Sequence, residues 1–306
     1  MRKTGRSWGA WSLVACAASI STSSLLHKFA YSAGLHPIWV SALRLGIAVT
    51  IMLPFLLHYK KTHPLRMAKR DLLLTLLSGG MLALHFATWA MSLQYADALV
   101  ATACWSTFSL MTVVGSALML RERTPLPALV GIVLATAGVG LCALGATGST
   151  LMGIAMALMA ALFQAVYTLC GRAVRRRVDM LPYTMLVYST SFVLLLGWAV
   201  IGRLPTTGIN AHGLSAALLL ALICTLGGHS MQSYALKFYS APTISAAILT
   251  EVITGPLLVL LFLGEVPPPQ SLVGGAVILM GVAWYMYCEW KGFAIKKHET
   301  GVDTPI

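Results

Sequence analysis

The sequence predicts an all-α polytopic membrane protein, with ten transmembrane helices arranged as two inverted-topology five-helix repeats. Three observations predict it. Of 306 residues, 58% are hydrophobic and only 10% are charged, against roughly a quarter charged in soluble domains, so a water-soluble fold would lack polar surface to cover itself. Ten apolar stretches, each near the roughly 20 residues that cross a hydrocarbon core of about 30 Å, fill the chain and leave no room for a separate soluble domain. Residues of the first half return in the second at a near-constant offset of 143–145 positions.

The spans follow from the punctuation between apolar runs. The first, 8–30, comes after Arg2, Lys3 and Arg6. Leu13-Val14-Ala15-Cys16 resembles a lipoprotein cleavage box, but the apolar run continues past Cys16 to about Ala30, so the segment reads as a helix and not as a cleaved leader. The second span, 38–58, stops at the basic stretch Lys60–Arg70. The third (72–94) and fourth (97–120) precede the turn Arg121-Glu122-Arg123-Thr124-Pro125, after which the fifth occupies 126–145. The sixth, 150–171, ends in the run Arg172-Ala173-Val174-Arg175-Arg176-Arg177. The seventh (181–202), eighth (213–235) and ninth (243–263) lead to Gly264-Glu265-Val266-Pro267-Pro268-Pro269 and the tenth, 271–290. Pro54 and Pro256 are expected to kink their helices, and Pro256, five residues after Glu251, would free carbonyls beside it.

A net charge of +12 would suggest nucleic-acid binding on a polar domain, but here the basic residues sit between apolar runs, so no nucleic-acid partner is expected. With the N-terminus inside, 18 of the 21 Lys and Arg fall in inner segments, one (Arg203) falls outside, and Lys28 and Arg44 lie within spans. That asymmetry predicts both termini in the cytoplasm, and the setting expected is a bacterial inner membrane. Lys28 lies near the outer end of its span, where it can snorkel. The six cysteines lie inside apolar runs with no C-x-x-C spacing, so neither a zinc site nor a disulfide framework is expected, and no cofactor.

The repeat pairs Glu122 with Glu265, Pro125 with Pro268, Gly131 with Gly274, Gly138 with Gly281, Lys28 with Arg172 and Pro37 with Pro182. This divides the chain into a first repeat over 1–147, a second over 148–292 and a cytoplasmic tail over 293–306. Five spans per repeat is an odd number, so the second repeat must enter the membrane from the opposite side. Inverted repeats of this kind build secondary transporters, whose halves rock about a site near the bilayer midplane; the alternative is a duplication kept for packing alone, as in a scaffold.

Trp89-Ala90-Met91-Ser92-Leu93-Gln94-Tyr95-Ala96 onward to Leu120-Arg121-Glu122-Arg123-Thr124-Pro125, then Gly131 to Gly138, resembles one repeat of the EamA family. Ser233-Tyr234-Ala235-Leu236-Lys237-Phe238-Tyr239-Ser240-Ala241-Pro242, Leu249-Thr250-Glu251-Val252, Leu263-Gly264-Glu265 and Gly274 to Gly281 resemble a second. Ala165–Arg172 is similar to the family's sixth span and Arg44-Leu45-Gly46 to its second. The resemblance covers nearly the whole chain and implies the drug/metabolite transporter superfamily, ten-helix class, whose members export or exchange amino acids and other small metabolites. It further implies a cavity lined by the first four helices of each half, with the fifth and tenth peripheral. Ser106 stands where many members carry an acidic residue, opposite Glu251 in the repeat, and Ser189 stands opposite Arg44. The site is therefore expected to be asymmetric.

Two deep charges lead the list of candidate substrate-binding residues. Arg44 lies about seven residues into its span, roughly 10 Å below the outer end at 1.5 Å per residue, where a charge signals function or a structural carbonyl clamp. Its fork suits a carboxylate. Glu251 is the only carboxylate at mid-membrane depth and can accept a substrate ammonium or couple protons. His85 and His229, 144 positions apart, occupy near-equivalent depths and are the other proton-coupling candidates, with packing as the alternative. Trp105, Ser106, Trp89, Gln164, Tyr167, Tyr188 and Gln232 can supply hydrogen bonds and aromatic surface. No metal-binding spacing occurs among them. Gly131, Gly138, Gly140, Gly145, Gly274, Gly275 and Gly281 fit close packing of the fifth and tenth helices, and a homodimer.

The partners expected are the lipid bilayer, a small-molecule substrate and protons. One deep cation and one deep anion match a zwitterion such as an amino acid. The alternatives are export of lipophilic cations through Glu251 alone, or a non-transporting scaffold; no nucleophile elbow, zincin motif or phosphate loop points to an enzyme.

Overall fold

The structure is a computed structural model that describes residues 2–63, 67–121, 125–144, 149–264, 266 and 269–300. Glu122 and Glu265, paired in the repeat comparison, lie outside the described residues, as do Gly145, Pro268 and the last six residues of the expected tail.

The described residues are helical, without strands. Eight helical stretches are long and apolar enough to cross a membrane: Trp8–Ser32, Pro37–Thr62, Lys69–Tyr95, Ala98–Leu120, Leu151–Arg175, Met180–Ile201, Ala211–Ala235 and Ala241–Leu263. They are the first to fourth and sixth to ninth of ten passes. The fifth, Leu126–Leu144, and the tenth, Pro269–Thr300, contain shorter apolar stretches. Leu118, Leu144, Leu151 and Ile201 are each more than three-quarters exposed. Apolar surface on this scale is stable only against lipid.

Local chemistry sets the helix ends. Thr150, Asn210 and Ser240 accept the N–H groups of Gly153, Gly213 and Thr243 at 3.2, 2.9 and 3.2 Å, each an N-cap. Gly264 closes the ninth pass at φ 70°, the left-handed conformation that a glycine takes without penalty.

The helices pack in antiparallel pairs. Along the third and sixth, Tyr95 lies opposite Thr150 and Ser78 opposite Tyr167. The second pairs with the seventh, Gly46 lying against Phe192 and Tyr59 against Asp179. In the first and eighth, Gly9 faces Phe238 and Ile20 faces Gly228. The fifth and tenth meet backbone to backbone at Gly131 with Gly281 and at Gly138 with Gly274. Only small residues permit that approach.

Several spans depart from the unbroken helices expected. The first breaks at Ser21–Thr22, the fourth at Ser106–Thr107 and the ninth at Leu249–Thr250. At each break hydroxyls turn back onto the preceding carbonyls: Ser21 to Ala17 (2.8 Å), Thr22 to Ser19 (2.8 Å), Ser106 to Ala103 (2.7 Å), Thr107 to Cys104 (2.8 Å) and Thr250 to Ala247 (2.9 Å). Such back-bonding competes with the helical ladder and bends it. Pro54 and Pro256 instead lie inside continuous helices, so the interruption expected at Pro256 falls ahead of it. The eighth pass contains a π-helical segment, Leu220–His229, and the fourth ends in another, Ser116–Leu120.

Two further expectations change. The last helix continues to Thr300, past the limit drawn at 290 and into the segment read as tail. Arg172 and Arg175, read as loop charges, are buried at the end of the sixth helix. There they donate to the carbonyls of Leu236 (2.7 Å) and Ser233 (2.8 Å) at the end of the eighth, so they tie two helices of the second half together. Five of the six cysteines are buried, and Cys288 is only partly so.

Candidate functional site

Arg44 projects from the second helix into the protein interior and is 1% exposed. Its Nε donates to Thr225 Oγ1 at 2.9 Å, and its guanidinium carbon lies 4.1 Å from the centroid of the Phe86 ring. Its Nη2 has no partner. The π-helical turn sets up the Thr225 contact. Thr225 Oγ1 donates to Leu220, five residues back, at 3.2 Å, and its carbonyl accepts Tyr188 Oη at 3.2 Å and Ser230 Oγ at 3.3 Å. π-Helical irregularities of this kind concentrate at functional sites.

Glu251 is the first residue of the helix that follows the break in the ninth span, and it is 1% exposed. Its Oε2 has no partner. Arg44 and Glu251 lie within electrostatic range of one another, yet among the described residues they form no ion pair. A buried charge with unsatisfied valence is costly, so each charge presents capacity for a further partner.

Between the two halves, the His85 and His229 rings lie 6.1 Å apart. His85 Nδ1 contacts the Ala160 carbonyl at 3.0 Å, while His229 packs edge-on against Phe86 at 4.9 Å and leaves its Nδ1 unpartnered. Trp105 stacks on Phe108 at 4.6 Å and lies 5.6 Å from Trp89 and 6.2 Å from His85, its indole N–H also unpartnered. Gln164 Nε2 reaches Gln232 Oε1 at 3.4 Å, and Gln232 Nε2 donates to Thr168 at 3.0 Å. Gln164 Oε1 is left without a donor. Tyr167 meets Ser233 at 3.3 Å, and Tyr188 meets Ser230 at 3.0 Å.

The expected residues therefore divide. Arg44, His85, His229, Trp89, Trp105, Gln164, Tyr167 and Tyr188 are linked by contacts through one buried region, with Glu251 in electrostatic reach of Arg44. Ser106 is buried too, but its hydroxyl is committed to the Ala103 carbonyl and marks the break in the fourth span. Three residues passed over in the sequence join the region. Thr225 anchors Arg44, while Ser24 Oγ and His27 Nε2 are buried without partners. The hydroxyl run Ser21-Thr22-Ser23-Ser24 inside an apolar span was the available signal.

Native interiors leave few polar groups unsatisfied. Among the described residues seven buried side-chain atoms lack a partner, and they come from the first, second, fourth, sixth, eighth and ninth spans. Arg44 Nη2 and Trp105 Nε1 can only donate, Gln164 Oε1 can only accept, and Glu251, both histidines and Ser24 can do either. This is the inventory needed to bind a small polar guest with both donors and acceptors. Among the described residues the third, fifth, seventh and tenth helices contribute none.

The sequence profile of the EamA-like transporter family matches residues 7–144 and again residues 151–287. No curated protein matches the chain. A protein of known crystal structure is similar in fold, with a TM-score of 0.71 at 16% identity, over 92% of this chain and 97% of its own.

Proposed function

We propose, because the chain belongs to the EamA-like transporter family, that it is a secondary transporter that carries amino acids or related zwitterions across a membrane by alternating access. The observation that carries the substrate reading is the pair of buried charges. Arg44 and Glu251 have opposite sign, share one interior region and each keep an unpartnered polar atom. Arg44 Nη2 binds the substrate carboxylate, and Glu251 binds its ammonium or exchanges it for protons. His85 and His229 relay protons between the halves, and Trp89 and Trp105 form the apolar wall.

Antiparallel packing of the second helix on the seventh, and of the fifth on the tenth, supports an inverted-topology repeat, since these are the pairs that the 143–145-residue offset relates. The basic asymmetry supports both termini in the cytoplasm of a bacterial inner membrane, and transport there is export or exchange. The fifth and tenth helices, bound to each other, also offer the face for a homodimer.

The test is a metabolite screen on proteoliposomes with an imposed pH gradient. Amino-acid flux that depends on the gradient, and that Glu251→Gln abolishes without loss of expression, is the expected result. Flux of lipophilic cations alone, unaffected by Arg44→Ala, would replace the zwitterion reading with the cation one.

A further inference from the structure

Where the first and ninth helices break, the Ser21 carbonyl, the Ser24 hydroxyl and the Glu251 side chain come together beside a glycine. An alanine Cβ built on Gly255 would lie 3.5 Å from the Ser21 carbonyl oxygen, 3.7 Å from Glu251 Cγ and 3.8 Å from Ser24 Oγ. Each oxygen is available. Among the described residues no backbone N–H donates to the Ser21 carbonyl, because the ladder is interrupted there. Ser24 Oγ and Glu251 Oε2 are buried and have no hydrogen-bond partner. The first helix's break is also fastened to the helix that follows the break in the ninth span, since the Ser21 and Thr254 hydroxyls hydrogen-bond to each other. The three acceptors therefore belong to one built surface.

We propose that this surface is a seat for a primary ammonium group, with the Glu251 carboxylate, the Ser24 hydroxyl and the Ser21 carbonyl each accepting one of its three N–H donors. An ammonium presents three donors and no acceptor, which matches one anionic and two neutral acceptors around a point. Broken membrane helices offer unwound carbonyls to cations in the same way. The inference rests on the zwitterion reading above and narrows it: the substrate carries an unsubstituted amine, and Ser24 and Gly255 set that specificity. Gly255 leaves beside these groups only the room that an alanine methyl would take up, and the ammonium approaches them there. The contacts an alanine methyl would make there are ordinary van der Waals distances, so Gly255→Ala fills the seat without a clash.

The experiment measures binding to the purified full chain by ligand-induced thermal stabilisation. The probes are the common amino acids and the N-trimethylated counterpart of each one that binds. Wild type should bind a free-amine amino acid and bind its N-trimethylated counterpart at least about tenfold more weakly, the scale of a lost hydrogen bond to a charged group. Ser24→Ala and Gly255→Ala should each weaken the free-amine probe by about tenfold or more, with ligand-free melting close to wild type. Should Gly255→Ala fail to fold, Ser24→Ala and the trimethylated probe still decide the matter. Amino acids that bind both variants and the trimethylated forms as wild type does would overturn the seat while leaving the zwitterion reading intact. Absence of amino-acid binding to wild type would remove both. Stabilisation by sodium in place of choline without any amine, lost in both variants, would overturn the ammonium assignment in favour of the free ion.

Discussion

Arg44 and Glu251 are held by different means, and the difference predicts how their variants fail. Arg44 is positioned through one hydrogen bond to Thr225 and one aromatic face, Phe86, so Thr225→Val should misplace the fork without removing its charge. A hydrogen bond to a charged group is worth about 1.5–3 kcal/mol, so the variant should weaken substrate binding by roughly 10–100-fold in an equilibrium binding assay; unchanged affinity would detach Thr225 from the site. Arg44→Lys retains the charge but not the fork, and should lose binding nearly as fully as Arg44→Ala in the same assay. Glu251 has no such anchor in its side chain, and its position comes from the break that precedes it. The two charges were legible in the sequence because ionised residues stand out in apolar runs. Ser24 and Thr225 were not, because most membrane-helix hydroxyls serve only their own backbone. The run Ser21-Thr22-Ser23-Ser24 marked the first of them, but nothing local distinguished Thr225.

At the scale of elements, the close contact of the fifth and tenth helices is the sharpest constraint. An alanine Cβ at position 131 would collide with the Gly281 carbonyl oxygen, whereas Gly140 has open space. Gly131→Ala should therefore destabilise the protein by about 1–3 kcal/mol, the usual cost of overpacking, while Gly140→Ala should not; thermal melting in detergent separates them. The two halves are also tied at one end by the polar pairs Asp71–Arg177 (2.6 Å) and Tyr59–Asp179 (2.7 Å). At the other end Trp39 Nε1 donates to the Leu204 carbonyl and Asn210 Nδ2 to the Ala33 carbonyl, both at 3.3 Å. Polar contacts between the halves thus occur at both ends among the described residues. Under the alternating access proposed above each set opens in turn, so Asp71→Arg should lower flux and the swap Asp71→Arg with Arg177→Asp should restore it. Helix number and order could be read from hydropathy and charge. The breaks could not, since proline was the visible signal and hydroxyl back-bonding made the actual interruptions.

For the whole molecule, the apolar composition that excluded a soluble fold reappears as a lipid-facing surface of leucine, isoleucine and valine. Of the helices that the near-constant offset relates, the second and seventh and the fifth and tenth pack antiparallel. What periodicity could not supply was which residues meet across the interface between repeats, because that depends on the three-dimensional crossing of eight helices and on local departures such as the π-helical turn at Leu220–His229. In the function proposed, the buried Arg44 and Glu251 together bind a zwitterion that is then carried across the membrane. Counterflow of radiolabelled amino acids in proteoliposomes, comparing wild type, Arg44→Ala and Glu251→Gln at matched protein content, tests this. Label should accumulate in wild-type vesicles and not above protein-free vesicles in either variant; accumulation equal to wild type in both variants would contradict the proposal.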